Sequence, residues 1–240
     1  MRNSFLVIGR KQLITLAAAL AVFAALSAFA ANLDKSRAVS ALTQGDDHTL
    51  VIDAGHGGID GGAVGADGSK ESDINLAIAL RLQAVSSFCG KRSVMTRTDD
   101  SRAANALTYS EHDELVYRVD VVNSANNPVL LSIHQNCYPT AQPSGAQVLY
   151  SSNGNSEAFG KLMHANIVSA LEPGNRRVAE PDKNKLFILS NVQCPALLVE
   201  CGFVSNHSDI TKLTDTRYQT ALSTVLMASV IQFISSIQYT

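Results

Sequence analysis

The chain has 240 residues, of which 46% are hydrophobic and 17% are charged, and this is enough for one well-packed domain with a short appendage. Its formal net charge of -2 gives no electrostatic basis for binding nucleic acid. No internal repeat or low-complexity tract is present, so repeat and fibrous architectures are excluded.

Residues 1–31 are predicted to be a signal peptide or a signal anchor. Cationic residues precede an almost wholly apolar run over 13–31, which is the order found in export signals. The run approaches the roughly 20 residues that span a bilayer, so an uncleaved anchor stays open beside a cleaved signal. Either form places the rest of the chain outside the cytoplasm, secreted or anchored. A polar linker is expected over 32–47 and a folded domain over 48–240.

The folded domain alternates apolar runs with segments of helical periodicity. Strands are predicted at the short apolar runs 50–52, 93–96, 128–133, 147–150 and 195–199. Helices are predicted from a cap at Ser69 to Val85 and over 111–126, 156–171 and 217–237. Phe187–Leu189 is expected to form a short strand at most. This alternation predicts one α/β domain with a mostly parallel, twisted sheet and helices on both faces.

Three of the predicted strands run directly into a polar residue that can do chemistry. The first is followed by His56 in a glycine-rich turn, the third by His134 and the fifth by Glu200. Ligands of open α/β sheets bind in the crevice at the carboxyl ends of the strands. We therefore expect these three side chains to converge there.

Two imidazoles and one carboxylate, with a fourth position open, make a catalytic zinc site. His56, His134 and Glu71, in the first turn of the first helix of the domain, supply that set. Glu200 can then take a proton and deliver it to a leaving group. On spacing alone, ordinary core or surface polar residues remain an equal alternative.

The same residues lie within a series of motifs that resembles the zinc-dependent N-acetylmuramoyl-L-alanine amidases of type 3. The resemblance runs in unbroken order from about Leu50 to the C-terminus. Its motifs are Asp53–Gly58 with Asp60–Ala63, Lys70–Leu76, Met95–Arg97, Arg118 with Asn123, Ser132–Asn136, Ser144–Gln147 and Leu198–Phe203.

The resemblance implies that His56, Glu71 and His134 bind one zinc ion per chain and that Glu200 is the catalytic carboxylate. It also implies hydrolysis of the amide between N-acetylmuramic acid and the L-alanine of peptidoglycan stem peptides. Ala54 stands where relatives usually carry proline, which should loosen the turn slightly without removing a ligand. The single-domain layout and the C-terminal motifs are most similar to the spore-germination amidases, which act on cortex peptidoglycan.

Polar residues around this set have two possible roles. Zinc sites use surrounding groups to orient their ligands, and a stem-peptide carboxylate needs a partner. Capping of strands and helices is the equal alternative. The candidates are Arg97, Arg118, Asn123, Ser132 and Asn136.

The remaining histidines and the cysteines are expected to be structural. The histidines outside the set are predicted to be solvated because none has a second donor at ligand spacing; they are His48, His112, His164 and His207. The four cysteines, Cys89, Cys137, Cys194 and Cys201, show no Cys-x-x-Cys pair. Export permits disulfides, and a bridge between Cys137 and Cys201 stays open, but free buried thiols are expected at both.

Three other activities stay open at this point. Cys201 with His134 would make a thiol-nucleophile enzyme. A protein that binds peptidoglycan or activates another enzyme would keep the fold without turnover, and a zinc peptidase would cut within the stem peptide. Some division amidases of the family that the sequence resembles carry an inserted inhibitory helix, and this chain shows no extra segment between Ser151 and Pro195 for one. The resemblance therefore implies control by a separate regulatory partner.

Overall fold

A six-stranded sheet forms the centre of the protein in the computed structural model, which describes residues 47–65, 67–103 and 110–237. The predicted signal segment and most of the predicted linker lie outside the described residues. The strands are β1 Thr49–Ala54, β2 Arg92–Met95, β3 Pro128–Asn136, β4 Gln147–Tyr150, β5 Glu180–Pro181 and β6 Ala196–Phe203.

The sheet has the order β2-β1-β3-β6-β4-β5. The four strands β2, β1, β3 and β6 run parallel, and β4 is antiparallel to β6. The helices are α1 Glu71–Phe88, α2 Glu111–Asn123, α3 Ser156–Leu171, α4 Phe187–Asn191, α5 His207–Leu213 and α6 Thr216–Ile237. The predicted α/β fold with a mostly parallel sheet is confirmed.

Helices cover both faces of the sheet because successive strand residues point to opposite sides. Leu50 and Ile52 of β1 pack with α1, α3 and α6 in the larger core, on what we call the α1 face. Val51 packs with α2 and α4 in a second core, on the α2 face. The same alternation along β6 places Val199 on the α1 face and Leu198 on the α2 face.

Helix α6 is long and apolar enough to cross a membrane, but it belongs to the core. Of its most apolar window, 44% is buried inside the domain. Phe233 on its inner face stacks on Phe159 of α3, with ring centroids 4.3 Å apart. The apolar composition of α6 is explained by this packing.

Phe187–Leu189 was predicted as a short strand, and this is wrong because α4 is a helix. The Asp182 carboxylate accepts hydrogen bonds from the backbone amides of Asn184 and Leu186 and so caps the turn before the helix. Its inward residues Ile188 and Leu189 enter the second core. An apolar triplet is too short for its periodicity to separate a helix from a strand.

Two predicted helix boundaries are also wrong. The first helix begins at Glu71 and has no side-chain cap, because Lys70 and not Ser69 stands at the N-cap position. The Ser69 hydroxyl donates to Asp67 in the preceding loop. Helix α2 ends at Asn123, and Asn127 turns the chain into β3 with a φ of 41°. Strand β5 and helix α5 were not predicted, since they comprise only two and seven residues.

Candidate active site

The turn after β1 presents His56 in a conformation that side chains seldom adopt, with a φ of 60°. Glycines on either side let two neighbouring groups approach. A Cβ on Gly55 would stand 2.3 Å from the His134 ring, and one on Gly62 would stand 2.7 Å from a Glu71 carboxylate oxygen. The glycines of this turn are therefore required by the close approach of the site residues.

The structure brings His56, Glu71 and His134 together. One carboxylate oxygen of Glu71, Oε1, lies 3.2 Å from His56 Nε2 and 3.1 Å from His134 Nδ1. One donor atom from each residue lies within 4.8 Å of the other two, an arrangement that can hold a metal ion. These residues come from the β1 turn, the first residue of α1 and β3, so the folded sheet and helix assemble the group.

The pKa values of Glu71 and His56 are shifted by their neighbours. Burial would raise the pKa of Glu71, but the facing His134 and His56 rings outweigh burial and hold it well below its usual range. Burial would lower the pKa of His56, but Glu71 and Asp60 outweigh burial and raise it to about 9. Glu71 therefore stays ionised, and in the metal-free protein His56 holds the balancing proton.

Further hydrogen bonds fix the orientation of two of these side chains. The Asp60 carboxylate lies 2.8 Å from His56 Nδ1, so that Nε2 is left to face Glu71. The other Asp60 oxygen accepts from the Gly62 amide at 3.0 Å. Glu71 accepts from the backbone amides of Ala63 and Gln135, both at 3.0 Å. Carboxylates that orient a histidine in this way are typical of metal sites. Sequence reasoning missed Asp60, although it follows His56 by four residues within a quoted motif.

Glu200 lies beside this group on the α2 face. It pairs in register with His134 of the parallel strand, so the two side chains leave the sheet on the same side. Its Oε2 atom is buried and has no hydrogen-bond partner among the described residues. Burial raises the pKa of Glu200 to about 7. A buried carboxyl with that pKa can both take up and release a proton near neutral pH.

The predicted residues Arg97 and Arg118 hold the His56 turn from beneath. Arg97 donates to the carbonyls of Ala54 and Gly55 at 2.9 and 3.0 Å. Arg118 donates to the carbonyls of Ala54 and His56 at 2.9 and 2.8 Å. Both guanidinium groups are thus occupied inside the protein, and they orient the backbone that carries His56.

Asp53 is the buried centre of this support, and sequence reasoning gave it no role. It forms an ion pair with Arg118 and accepts hydrogen bonds from the hydroxyls of Ser132 and Thr96 at 2.6 and 2.8 Å. Burial would raise the pKa of Asp53, but Arg118 and the hydroxyls outweigh burial and lower it. The Ser132 hydroxyl, which was predicted to orient a metal ligand, to bind substrate or to cap an element, therefore helps to hold Asp53 in place.

Asn123 and Asn136, the other two polar residues predicted around the site, make contacts away from the His56 turn. Asn123 is exposed and donates to the Asn191 carbonyl at 3.3 Å, which joins α2 to α4. The carbonyl of Asn136 accepts from the Val204 amide at 2.9 Å. The Asn123 bond supports the alternative of structural capping, whereas the Asn136 bond is made by the backbone and assigns no role to its side chain.

A cavity of about 110 Å³ opens beside the His/Glu/His group. Its lining includes His56, His134, Arg102, Glu111 and Ile188. Charged and imidazole side chains therefore line most of this cavity, and Ile188 of α4 adds an apolar contact.

The cysteines of the described residues are all free. The expected buried thiol is correct for Cys201 and wrong for Cys137, which is exposed because β3 ends one residue earlier. Cys201 points into the core of the α1 face, whereas Glu200 and His134 face the opposite side. Its thiol contacts the Val199 carbonyl, and burial raises its pKa strongly. A Cys201–His134 dyad is therefore excluded by the alternation of β6.

One histidine prediction is wrong. His164 is buried, because it lies on the inward side of α3 beside Gly160 and Ile167. His112 and His207 are exposed as predicted, and His48 is partly buried.

Fold and site together define an α/β enzyme domain with a mostly parallel sheet, whose His/Glu/His group at the sheet edge can hold a metal ion. Residues 50–232 match the family model for N-acetylmuramoyl-L-alanine amidase. The chain belongs to this family, and the predicted enzyme class is confirmed.

Individual relatives agree with the family match. The germination-specific N-acetylmuramoyl-L-alanine amidase of Bacillus subtilis (strain 168) is 31% identical over 189 residues, covering 77% of this chain and 78% of the relative. The CwlD amidase from Clostridioides difficile, in complex with the GerS lipoprotein, superposes with a TM-score of 0.71 at 30% identity, covering 79% of this chain and 98% of that one. The catalytic domain of CwlV from Bacillus (Paenibacillus) polymyxa var. colistinus gives 0.67 at 29% identity, covering 78% and 98%.

Proposed function

We propose that the protein is a zinc-dependent amidase that cleaves the bond between N-acetylmuramic acid and the L-alanine of peptidoglycan stem peptides. The observation that carries this proposal is the convergence of His56, Glu71 and His134 beside the buried carboxyl of Glu200. The family match names the same reaction.

The donor set fits zinc. Two imidazole nitrogens and one carboxylate oxygen are the ligands that zinc prefers in hydrolytic sites, where a fourth position stays open. Asp60 and the amides around Glu71 hold two of the three donors in place. When bound, zinc would polarise the scissile carbonyl and lower the pKa of the attacking water.

The residues of the chain itself would then perform the proton transfers. Glu200 Oε2 has no competing hydrogen bond within the described residues and is therefore able to accept the proton of the attacking water. The same atom would return that proton to the departing alanine nitrogen. His56 and His134, turned toward Glu71, would remain neutral ligands.

We also propose where the enzyme acts. Its relatives include a germination-specific amidase, which supports a role in the spore cortex. The apolar segment over 13–31 would export the chain, and the 48–240 domain would face the peptidoglycan. The structure of a related amidase with a lipoprotein supports a regulatory partner here, and a pull-down of the exported protein that recovers none would count against it.

Digestion of purified sacculi and spore cortex by the zinc-loaded full chain tests the proposed reaction. Mass spectrometry should find intact stem peptides and peptide-free muramic acid. Fragments cut within the stem would identify a peptidase instead. Binding without new amino termini, even with a partner added, would identify a peptidoglycan-binding or activating protein.

A further inference from the structure

We propose that Arg177 binds a carboxylate of the stem peptide and thereby gives the enzyme a preference for acidic stems. This inference rests on the proposed function. The arginines that the sequence suggested for such a role, Arg97 and Arg118, are bound to backbone carbonyls beneath the His56 turn. A substrate carboxylate therefore needs a different cation.

A row of polar side chains leads from the metal ligands to Arg177. His134, Glu200 and Gln147 are register partners on three adjacent strands, so their side chains leave the same side of the sheet. Arg177 extends the row, because its Nη1 donates to Gln147 Oε1 at 2.8 Å.

The surroundings of Arg177 hold it in place without neutralising it. Its Nε donates to the Ser144 carbonyl at 3.1 Å, and its guanidinium carbon lies 4.5 Å from the centroid of the Phe203 ring. Gln147, Ser144 and Phe203 are uncharged partners. Within the described residues, no carboxylate lies at ion-pair distance from Arg177, whereas Arg102 on the cavity wall faces Glu114 at 4.0 Å.

Such an arginine is well suited to bind a carboxylate. Its fork is oriented by two hydrogen bonds and an aromatic ring, so little rotational freedom is lost on binding. Nη2, which has no partner among the described residues, remains available for a charge-assisted bond. Arg177 is half-buried, which strengthens that bond relative to one in open water.

The distance suits a stem peptide. Adjacent strands lie roughly 4.8 Å apart, so Arg177, one strand and one side chain beyond Glu200, lies roughly 10 Å from the proton-transfer atom. An extended peptide advances roughly 3.4 Å per residue. The bound carboxylate would therefore belong to an acidic residue, or to the C-terminus, two or three residues beyond the scissile amide.

The test compares the cleavage of three muramoyl peptides by the zinc-loaded full chain. The first has a free carboxylate on its second residue and an amidated C-terminus. The second has an amidated second residue and a free C-terminus, and the third has both groups amidated. For the peptide whose carboxylate is bound, Arg177→Gln should raise KM about 10-fold or more, with kcat within about twofold and zinc content unchanged. The doubly amidated peptide should show no change. Arg176→Gln, at the adjacent exposed arginine, is the matched control and should leave all three KM values unchanged.

The outcomes separate this proposal from the proposed function. An equal loss on all three peptides, or a change in kcat or zinc content alone, would overturn the role of Arg177 and leave the amidase intact. Failure of the wild-type chain to cleave any of the peptides, or sacculi, would overturn both. If Arg177→Gln does not fold, Arg177→Lys is measured instead, because lysine keeps the charge but not the two-pronged guanidinium. A raised KM confined to one acidic peptide would support the proposal. Unchanged KM values would refute it.

Discussion

Replacing Asp60 by asparagine should weaken zinc binding while the protein stays folded. Both carboxylate oxygens of Asp60 accept hydrogen bonds, one from His56 Nδ1 and one from the Gly62 amide. An asparagine side chain has a single acceptor oxygen, so Asp60→Asn can serve one of the two donors and not the other.

The size of the effect follows from that lost bond. A donor left without its acceptor costs about 1–3 kcal/mol, and groups that orient a metal-bound histidine change metal affinity by about 10–100-fold when mutated. A factor of 10 corresponds to about 1.4 kcal/mol, so the two ranges agree. We expect the zinc dissociation constant of Asp60→Asn to rise by about 10–100-fold.

Competition with a zinc-binding indicator dye measures this constant, and circular dichroism checks the fold. Asp67→Asn is the matched control, because Asp67 lies in the same turn and accepts from both the amide and the hydroxyl of Ser69 but contacts no ligand. Equal zinc affinity in the two variants would refute the positioning role of Asp60.

Other consequences are open to measurement. Glu200→Gln should keep its zinc, by metal analysis, and lose at least about 100-fold in kcat; loss of metal together with activity would show that Glu200 is itself a ligand. A chelator should abolish the release of stem peptides, and at zinc concentrations 100 times the dissociation constant the folded state should regain about 2.7 kcal/mol, seen as a rise in Tm on adding zinc back. Phe159→Ala should remove the stack on Phe233 and lower the free energy of unfolding by about 3–5 kcal/mol in urea titrations; a loss under 1 kcal/mol would contradict its place in the core. Burial would raise the pKa of Glu172, but the hydrogen bond from Lys212 and its other partners outweigh burial and lower it, so its stabilisation is present above the unfolded value of about 4.5 and is lost as pH falls through the folded pKa. Tm should accordingly fall less between pH 6 and pH 4 in Glu172→Gln than in the wild type.

The parts of the fold that sequence predicted well are those with a long periodic signal. The apolar runs that became β1, β3 and β6, and the helical period of α3 and α6, depend on burial, which the pattern of apolar residues records directly. The five-residue α4 carries too few residues to show a period, and the turn that Asp182 holds before it has a geometry that no pattern of apolar residues records.

Sequence reasoning found some residues of the candidate site and missed others. It found His56, His134 and Glu200 because each follows or interrupts an apolar strand, where a polar residue stands out. It gave no role to Asp53 or Arg177. The partners of Asp53 include Arg118, which lies 65 positions away along the chain, and Arg177 reaches Gln147 from a loop without regular structure. Only the folded sheet shows which distant charges are satisfied and which are left over.

The pairing of His134 with Glu200 makes the chemistry of this enzyme depend on the alignment of two strands. A shift of β6 by one residue would turn Cys201 toward His134 and send Glu200 into the apolar core on the α1 face, since neighbours on a strand face opposite sides of the sheet. A single-residue insertion before Glu200 should therefore abolish activity more completely than many substitutions around the cavity. The bulge after His134 comes just beyond this pair, where it leaves the alignment intact.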